Sequence, residues 1–139
     1  MRAPITPGKT RQFLIIMWVA LVASVGVYYF LTTILQPANP DSNSPLVFPL
    51  LGMAVLSVLA SIYFKARFGA REGKTRAPAM VRAAYIIALV FDEVPGILGL
   101  IVFLVSAWPQ YWVFFVISAG GFVFNFPRRQ DFEQAEQHY

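Results

Sequence analysis

The sequence predicts an all-α integral membrane protein, a four-transmembrane-helix bundle, with two hairpins as a candidate arrangement, built as a single domain over residues 1–139. Three observations lead there. Hydrophobic residues make up 58% of the chain and charged residues 13%, with mean hydropathy +0.61, whereas a soluble domain carries charge on about 25% of its residues. The apolar residues gather in four stretches, approximately 12–35, 45–64, 81–107 and 110–126, and about 20 such residues cross the hydrocarbon as a helix. Finally, all eleven basic residues fall into three segments that an up-and-down bundle brings to one face.

Helix one follows Arg2, Lys9 and Arg11. Its apolar run is longer than the roughly 7–15 residues of a secretory signal core, so an uncleaved helix is expected. The turn-rich segment from Gln36 to Pro45 leads to helix two. Next comes a Gly- and charge-rich loop, 65–80, which with the start of helix three carries Lys65, Arg67, Arg71, Lys74, Arg76 and Arg82. Helix three ends at the tight connection Ser106-Ala107-Trp108-Pro109-Gln110-Tyr111. Trp108, Tyr111 and Trp112 fall where an outer aromatic belt would lie. Helix four is the shortest and runs into the tail 127–139, with Arg128 and Arg129 as surface anchors.

Against the three basic segments, the opposite loops carry only Asp41. The positive-inside rule therefore places both termini in the cytoplasm and the chain in the cell's inner or plasma membrane. The basic face suits anionic lipids, and without aromatic-interleaved binding motifs nucleic acid is not a predicted partner. Absence of cysteine excludes disulfides, thiol catalysis and Cys-based metal sites. His138, the only histidine, has no partner at metal-ligand spacing, so neither metal nor cofactor is expected.

Helices one and three share a pattern: Gly26-Val27-Tyr28-Tyr29-Phe30-Leu31 aligns with Gly99-Leu100-Ile101-Val102-Phe103-Leu104, and Val19-Ala20 then falls opposite Asp92-Glu93. A duplicated helical hairpin would give this pattern, and so would the limited alphabet of two unrelated apolar helices.

The candidate functional residues lie near the middle of helix three. A charged acid at the centre of a membrane helix costs about 2.5 to 3.5 kcal/mol on insertion scales, so Asp92 and Glu93 require a protein-facing or hydrated environment. Glu93 lies about 16 Å beyond Arg82 at 1.5 Å per residue, close to the midplane. Ala84, Ala88, Asp92 and Gly96 recur every four residues, a strip of small side chains that admits a close neighbour. Glu93 is rotated about 100° from Asp92 and faces a different neighbour or another subunit. Pro95 lacks an N–H, so it leaves the carbonyl of Phe91 without its helical donor and favours a kink, making that carbonyl a candidate cation ligand. Desolvation favours the protonated carboxyl, which points to a proton over sodium. Ser24, Ser57, Ser61, Ser118 and Asn125 are candidate hydrogen-bond partners. Without any transport role, the acids would act as interhelical hydrogen-bonding groups that hold the bundle together.

The run from Ala88 to Leu100, ALVFDEVPGILGL, resembles the carboxylate helix of the proton-carrying ring subunit, subunit c, of rotary ATP synthases and V-type ATPases. That helix has a small-residue lead-in, a membrane-embedded acid and an Ile/Tyr-Gly-Leu stretch shortly after it. The resemblance implies that Glu93 binds and releases a proton or sodium ion. It is confined to helix three. Helix two carries Gly52-Met53-Ala54-Val55-Leu56-Ser57-Val58-Leu59-Ala60 in place of a dense GxGxG series, and the basic loop is long, so the chain is not a subunit c proper.

The expected function is proton or cation binding at Glu93 and Asp92, within a homo-oligomer or a complex with other membrane subunits; Ala84, Ala88, Gly96 and Gly99 serve helix packing. The alternatives are a non-catalytic accessory or assembly subunit of a larger membrane complex and a small proton-coupled exporter. Enzyme chemistry is not expected: no Ser-His-Asp set, phosphate loop or metal-ligand cluster is present, and the adjacent acids point to different helix faces.

Overall fold

A computed structural model describes residues 7–37, 44–68, 78–128 and 130. Asp41, Arg2, Arg71, Lys74, Arg76, Arg129 and His138, all weighed above, lie outside the described residues. The described chain is all-helical: α1 (Pro7–Ile34), α2 (Val47–Phe68), α3 (Pro78–Ser106) and α4 (Trp112–Phe124).

Proline sets two of the starts. Pro7 and Pro78 open α1 and α3, where a fixed φ suits the first turn and the missing N–H is not needed. These helices begin before the apolar runs do, so Lys9 and Arg11 are helical, as Arg82 is. So are Lys65 and Arg67, at the end of α2 and not in a loop. α3 ends where Ala107 adopts a left-handed φ of 47°. Its N–H reaches back to the Phe103 carbonyl at 3.0 Å, and Pro109 disfavours helix at Trp108, so the chain turns there.

At 28, 22 and 29 residues, α1, α2 and α3 are long and apolar enough to cross a membrane. α4 is not. Its 13 residues give about 20 Å at 1.5 Å per residue, short of a hydrocarbon core of about 30 Å. The apolar run 110–126 overstated the helix because the turn at Pro109 trims its start, while Asn125 and Pro127 end it. Apolar side chains such as Phe48, Leu56, Ile16, Phe30, Val116 and Val123 cover the outer surface, as lipid-facing surfaces of a membrane protein do.

α3 packs against all three other helices, and α4 does the same from one side. Among the described residues, α1 and α2 do not pack against each other. The two-hairpin expectation therefore fails for the first pair, and the halves are not alike: α3 and α4 are packed together while α1 and α2 flank α3. The cause is visible in the packing surfaces. Gly96 lies against Val25 of α1, and Gly99 against Phe114 and Phe115 of α4, so the small residues of α3 draw neighbours onto several of its faces.

Three buried clusters order the helices. Leu14, Val81 and Tyr85 join the starts of α1 and α3, which therefore run in the same direction. Val25, Leu89, Phe115 and Phe122 fill the centre, and Val47, Ala54, Leu98, Val102 and Phe114 join α2, α3 and α4 toward the other end. Arg82 lies 4.4 Å from the Phe13 ring and Lys65 4.9 Å from the Tyr85 ring, which groups these cations at one end of the bundle.

The adjacent glycines of α4 supply a test. A Cβ on Gly121 would collide with the Asp92 carboxyl, whereas one on Gly120 would meet nothing within 4 Å. Gly121→Ala is expected to destabilise by about 1–3 kcal/mol through overpacking. Gly120→Ala should be neutral or stabilise by up to about 1 kcal/mol through helix propensity. Thermal unfolding in detergent distinguishes the two.

Candidate functional site: two adjacent carboxyls with different surroundings

Asp92 and Glu93 occupy the middle of α3, and the helical rotation of about 100° between neighbours sends them to different partners. Asp92 is 0% exposed. Ser61 Oγ of α2 donates to its Oδ1 at 2.6 Å, and Asn125 Nδ2, just past α4, donates to its Oδ2 at 2.7 Å. The same Asn125 amide reaches Ser61 Oγ at 2.9 Å. Ser118 Oγ of α4 donates to the main-chain carbonyl of Asp92 at 2.5 Å. Ser61, Ser118 and Asn125 are themselves buried, so a closed polar knot joins α2, α3 and α4.

Such a knot is stable only when each member is satisfied, because an unpaired polar group costs far more in a low-dielectric interior than in water. Among the described residues, the single buried side-chain nitrogen or oxygen without a hydrogen-bond partner is Arg11 Nε, at the start of α1.

The end of α4 is part of the same arrangement. Helix ends leave carbonyls without intrahelical donors. Here Asn125 N donates to the Gly121 carbonyl at 2.9 Å, Trp18 Nε1 of α1 to that of Phe122 at 2.9 Å, and Lys65 Nζ of α2 to that of Phe124 at 3.1 Å. Trp18 also meets Phe126 edge-on, with ring centroids 5.2 Å apart. α4 thus stops beside Asp92, while α3 runs on for about 21 Å toward its own start.

Glu93 faces α1. Ser24 Oγ donates to its Oε1 at 2.6 Å and Tyr28 Oη at 2.9 Å. Its side chain is only half-buried.

The two sites share one feature. Ser61 Oγ also lies 2.7 Å from the Val58 carbonyl, and Ser24 Oγ 2.8 Å from the Leu21 carbonyl. A hydroxyl has one proton. Given to a charged carboxylate, it leaves the backbone carbonyl to its helical bond; given to the backbone, it leaves the oxygen free to accept a proton from a neutral carboxyl. Either protonation state of each acid is therefore served by turning one hydroxyl hydrogen, with no heavy atom displaced.

The remaining sequence candidates are distributed around these sites. Ala84, Ala88, Asp92 and Gly96 are all buried, but they do not face one partner: Asp92 meets α2 and α4, and Gly96 meets α1. Pro95 is buried within a continuous α3. The Phe91 ring stacks on Phe64 at 5.8 Å, with an interplanar angle of 11°. Ser57 turns back to the Ala54 carbonyl and joins neither acid. Tyr28, Trp18, Lys65 and Gly121 belong to the sites and were not singled out from sequence. The one available signal was the four-residue spacing of Ser24 and Tyr28 on α1.

No protein-family model, curated protein or solved structure matches the chain, so the likeness to subunit c rests on the residues of α3 alone.

The knot yields a thermodynamic expectation. Asn125→Leu leaves Asp92 Oδ2 without its donor and should cost about 1–3 kcal/mol. Combined with Asp92→Leu, which removes the stranded acceptor, the loss should be smaller than the sum of the two single losses. A double-mutant cycle on thermal unfolding in one detergent measures this; additivity would mean that the two side chains are not coupled.

Proposed function

We propose that this is a small multi-spanning membrane protein that binds and releases a proton at Glu93, with Asp92 as the buried tie that holds the carrying helix in place. The observation that carries the reading is the contrast between the two acids. Asp92 is enclosed by donors from two helices, whereas Glu93 is half-buried and held by two hydroxyls of α1. Ser24 can accommodate the charged or the neutral carboxyl without rearrangement, and Tyr28 is a group able to take as well as give a proton.

In this reading the protein is not an enzyme. It sits in the cell's inner or plasma membrane with both termini cytoplasmic, because the charges of its sequence follow the positive-inside rule. It works as a homo-oligomer or beside other membrane subunits, with anionic lipid at the end that bears Lys65, Arg67 and Arg82. Sodium or another cation is the alternative ligand of the same carboxyl.

Infrared titration of the lipid-embedded protein is the test. A carboxyl band that changes reversibly with pH and vanishes in Glu93→Gln, but survives in Asp92→Asn, is expected. A Glu93 band that stays constant, with Glu93→Gln folding normally, would reduce Glu93 to a structural hydrogen bond and leave an accessory or assembly subunit.

A further inference from the structure

The surroundings of Glu93 differ along the α1–α3 seam. Toward the end bearing the cations, Leu89 lies one turn from Glu93 and is fully buried, followed by Tyr85, Val81 and Leu14, also fully buried. Trp18 is fixed across the same region by its bond to the Phe122 carbonyl. Toward the opposite end the seam is hydroxylated. Ser24, Tyr28 and Thr32 recur every four residues and so share one face of α1. Ser24 and Tyr28 hold Glu93. Thr32, 5% exposed, lies 3.4 Å from Tyr111 Oη in the turn before α4. That is longer than an ordinary hydroxyl hydrogen bond, and the Thr32 proton is directed to the Tyr29 carbonyl at 2.6 Å.

We propose that Glu93 exchanges its proton with one side of the membrane only, through the α1 hydroxyls Tyr28 and Thr32 and the Tyr111 hydroxyl, to the end carrying the 107–111 turn. The inference rests on the proton-exchange reading of Glu93 and adds the route and its direction. Each handover conserves protons: as the Tyr28 O–H bond breaks and its proton passes to Glu93 Oε1, a new O–H bond forms on Tyr28 with a proton from the outer side. Tyr28 and Thr32 are one helical turn apart, about 6 Å of backbone rise, and the route requires water between their hydroxyls. The other titratable group beside Glu93, Asp92, is directed to α2 and α4 and to the side on which Lys65 lies, so it stands outside this route.

The test uses the full chain in vesicles of defined orientation, identified by whether external trypsin cuts the basic connection between α2 and α3. The Glu93 infrared band is followed after a pH jump applied to one side at a time. It should respond quickly to the side carrying the 107–111 turn and slowly to the other. Tyr28→Phe, which keeps the ring, should slow the fast response by about a hundredfold, the lower end of what a positioned proton-transfer group contributes. Thr32→Val should slow it in the same direction. A fast response from the cation-bearing side, from both sides alike, or unchanged in both variants would overturn the route while leaving proton exchange at Glu93 standing. A band that responds from neither side would overturn both.

Discussion

The structure depends on the burial of one carboxyl group. Asp92 lies where water does not reach, and its oxygens must find donors within the protein or the helix carrying it would not be held there. Those donors come from α2 and from the chain just beyond α4. Because Ser61 and Asn125 also bond each other, the three groups form a closed triangle, and each helix that supplies a member is fixed in register to the other two. Gly121 completes the fit, since only a residue without a side chain lets α4 approach the carboxyl this closely.

The same requirement accounts for the length of α4. An asparagine that continued the helix would point from its flank, whereas Asn125, placed after the last turn and before Pro127, directs its amide to Asp92. Stopping there leaves carbonyls without intrahelical donors inside the bundle, and such an end is tolerated only when other groups of the protein supply partners. Trp18 and Lys65 provide them from α1 and α2. A buried acid, a short helix and two capping side chains are thus consequences of one constraint, and they tie all four helices together although α1 and α2 do not pack on each other.

The all-helical architecture, the three long apolar helices and the unusual position of the two acids were legible in the sequence, because hydropathy reports which segments avoid water and a charge within such a segment stands out. The length of α4 was not. The apolar run could be drawn on to Phe126, whereas the helix closes at Asn125, ahead of Pro127. Lys65 read as a loop residue because charge marks the end of an apolar run, whereas its long stem allows the ammonium to reach back to a carbonyl. Tyr28 was hidden beside Tyr29 in an aromatic-rich run; the two differ only in which face of α1 they occupy, and without knowing that α1 runs alongside α3 neither could be assigned to Glu93. Pairing of α1 with α3 instead of α2 is a tertiary choice that nothing in either helix announces.

Placing two acids next to each other on a helix separates their roles by geometry. A rotation of about 100° puts Asp92 among donors from two helices and Glu93 against a single helix, α1. In the proposed proton exchange, a change of charge at Glu93 is taken up in the α1–α3 seam, where Ser24 needs only to redirect a hydrogen. At Asp92 the corresponding hydroxyl, that of Ser61, belongs to a closed triangle that fixes three segments at once. Asp92 thus ties three segments together, while Glu93 joins α3 to α1 alone.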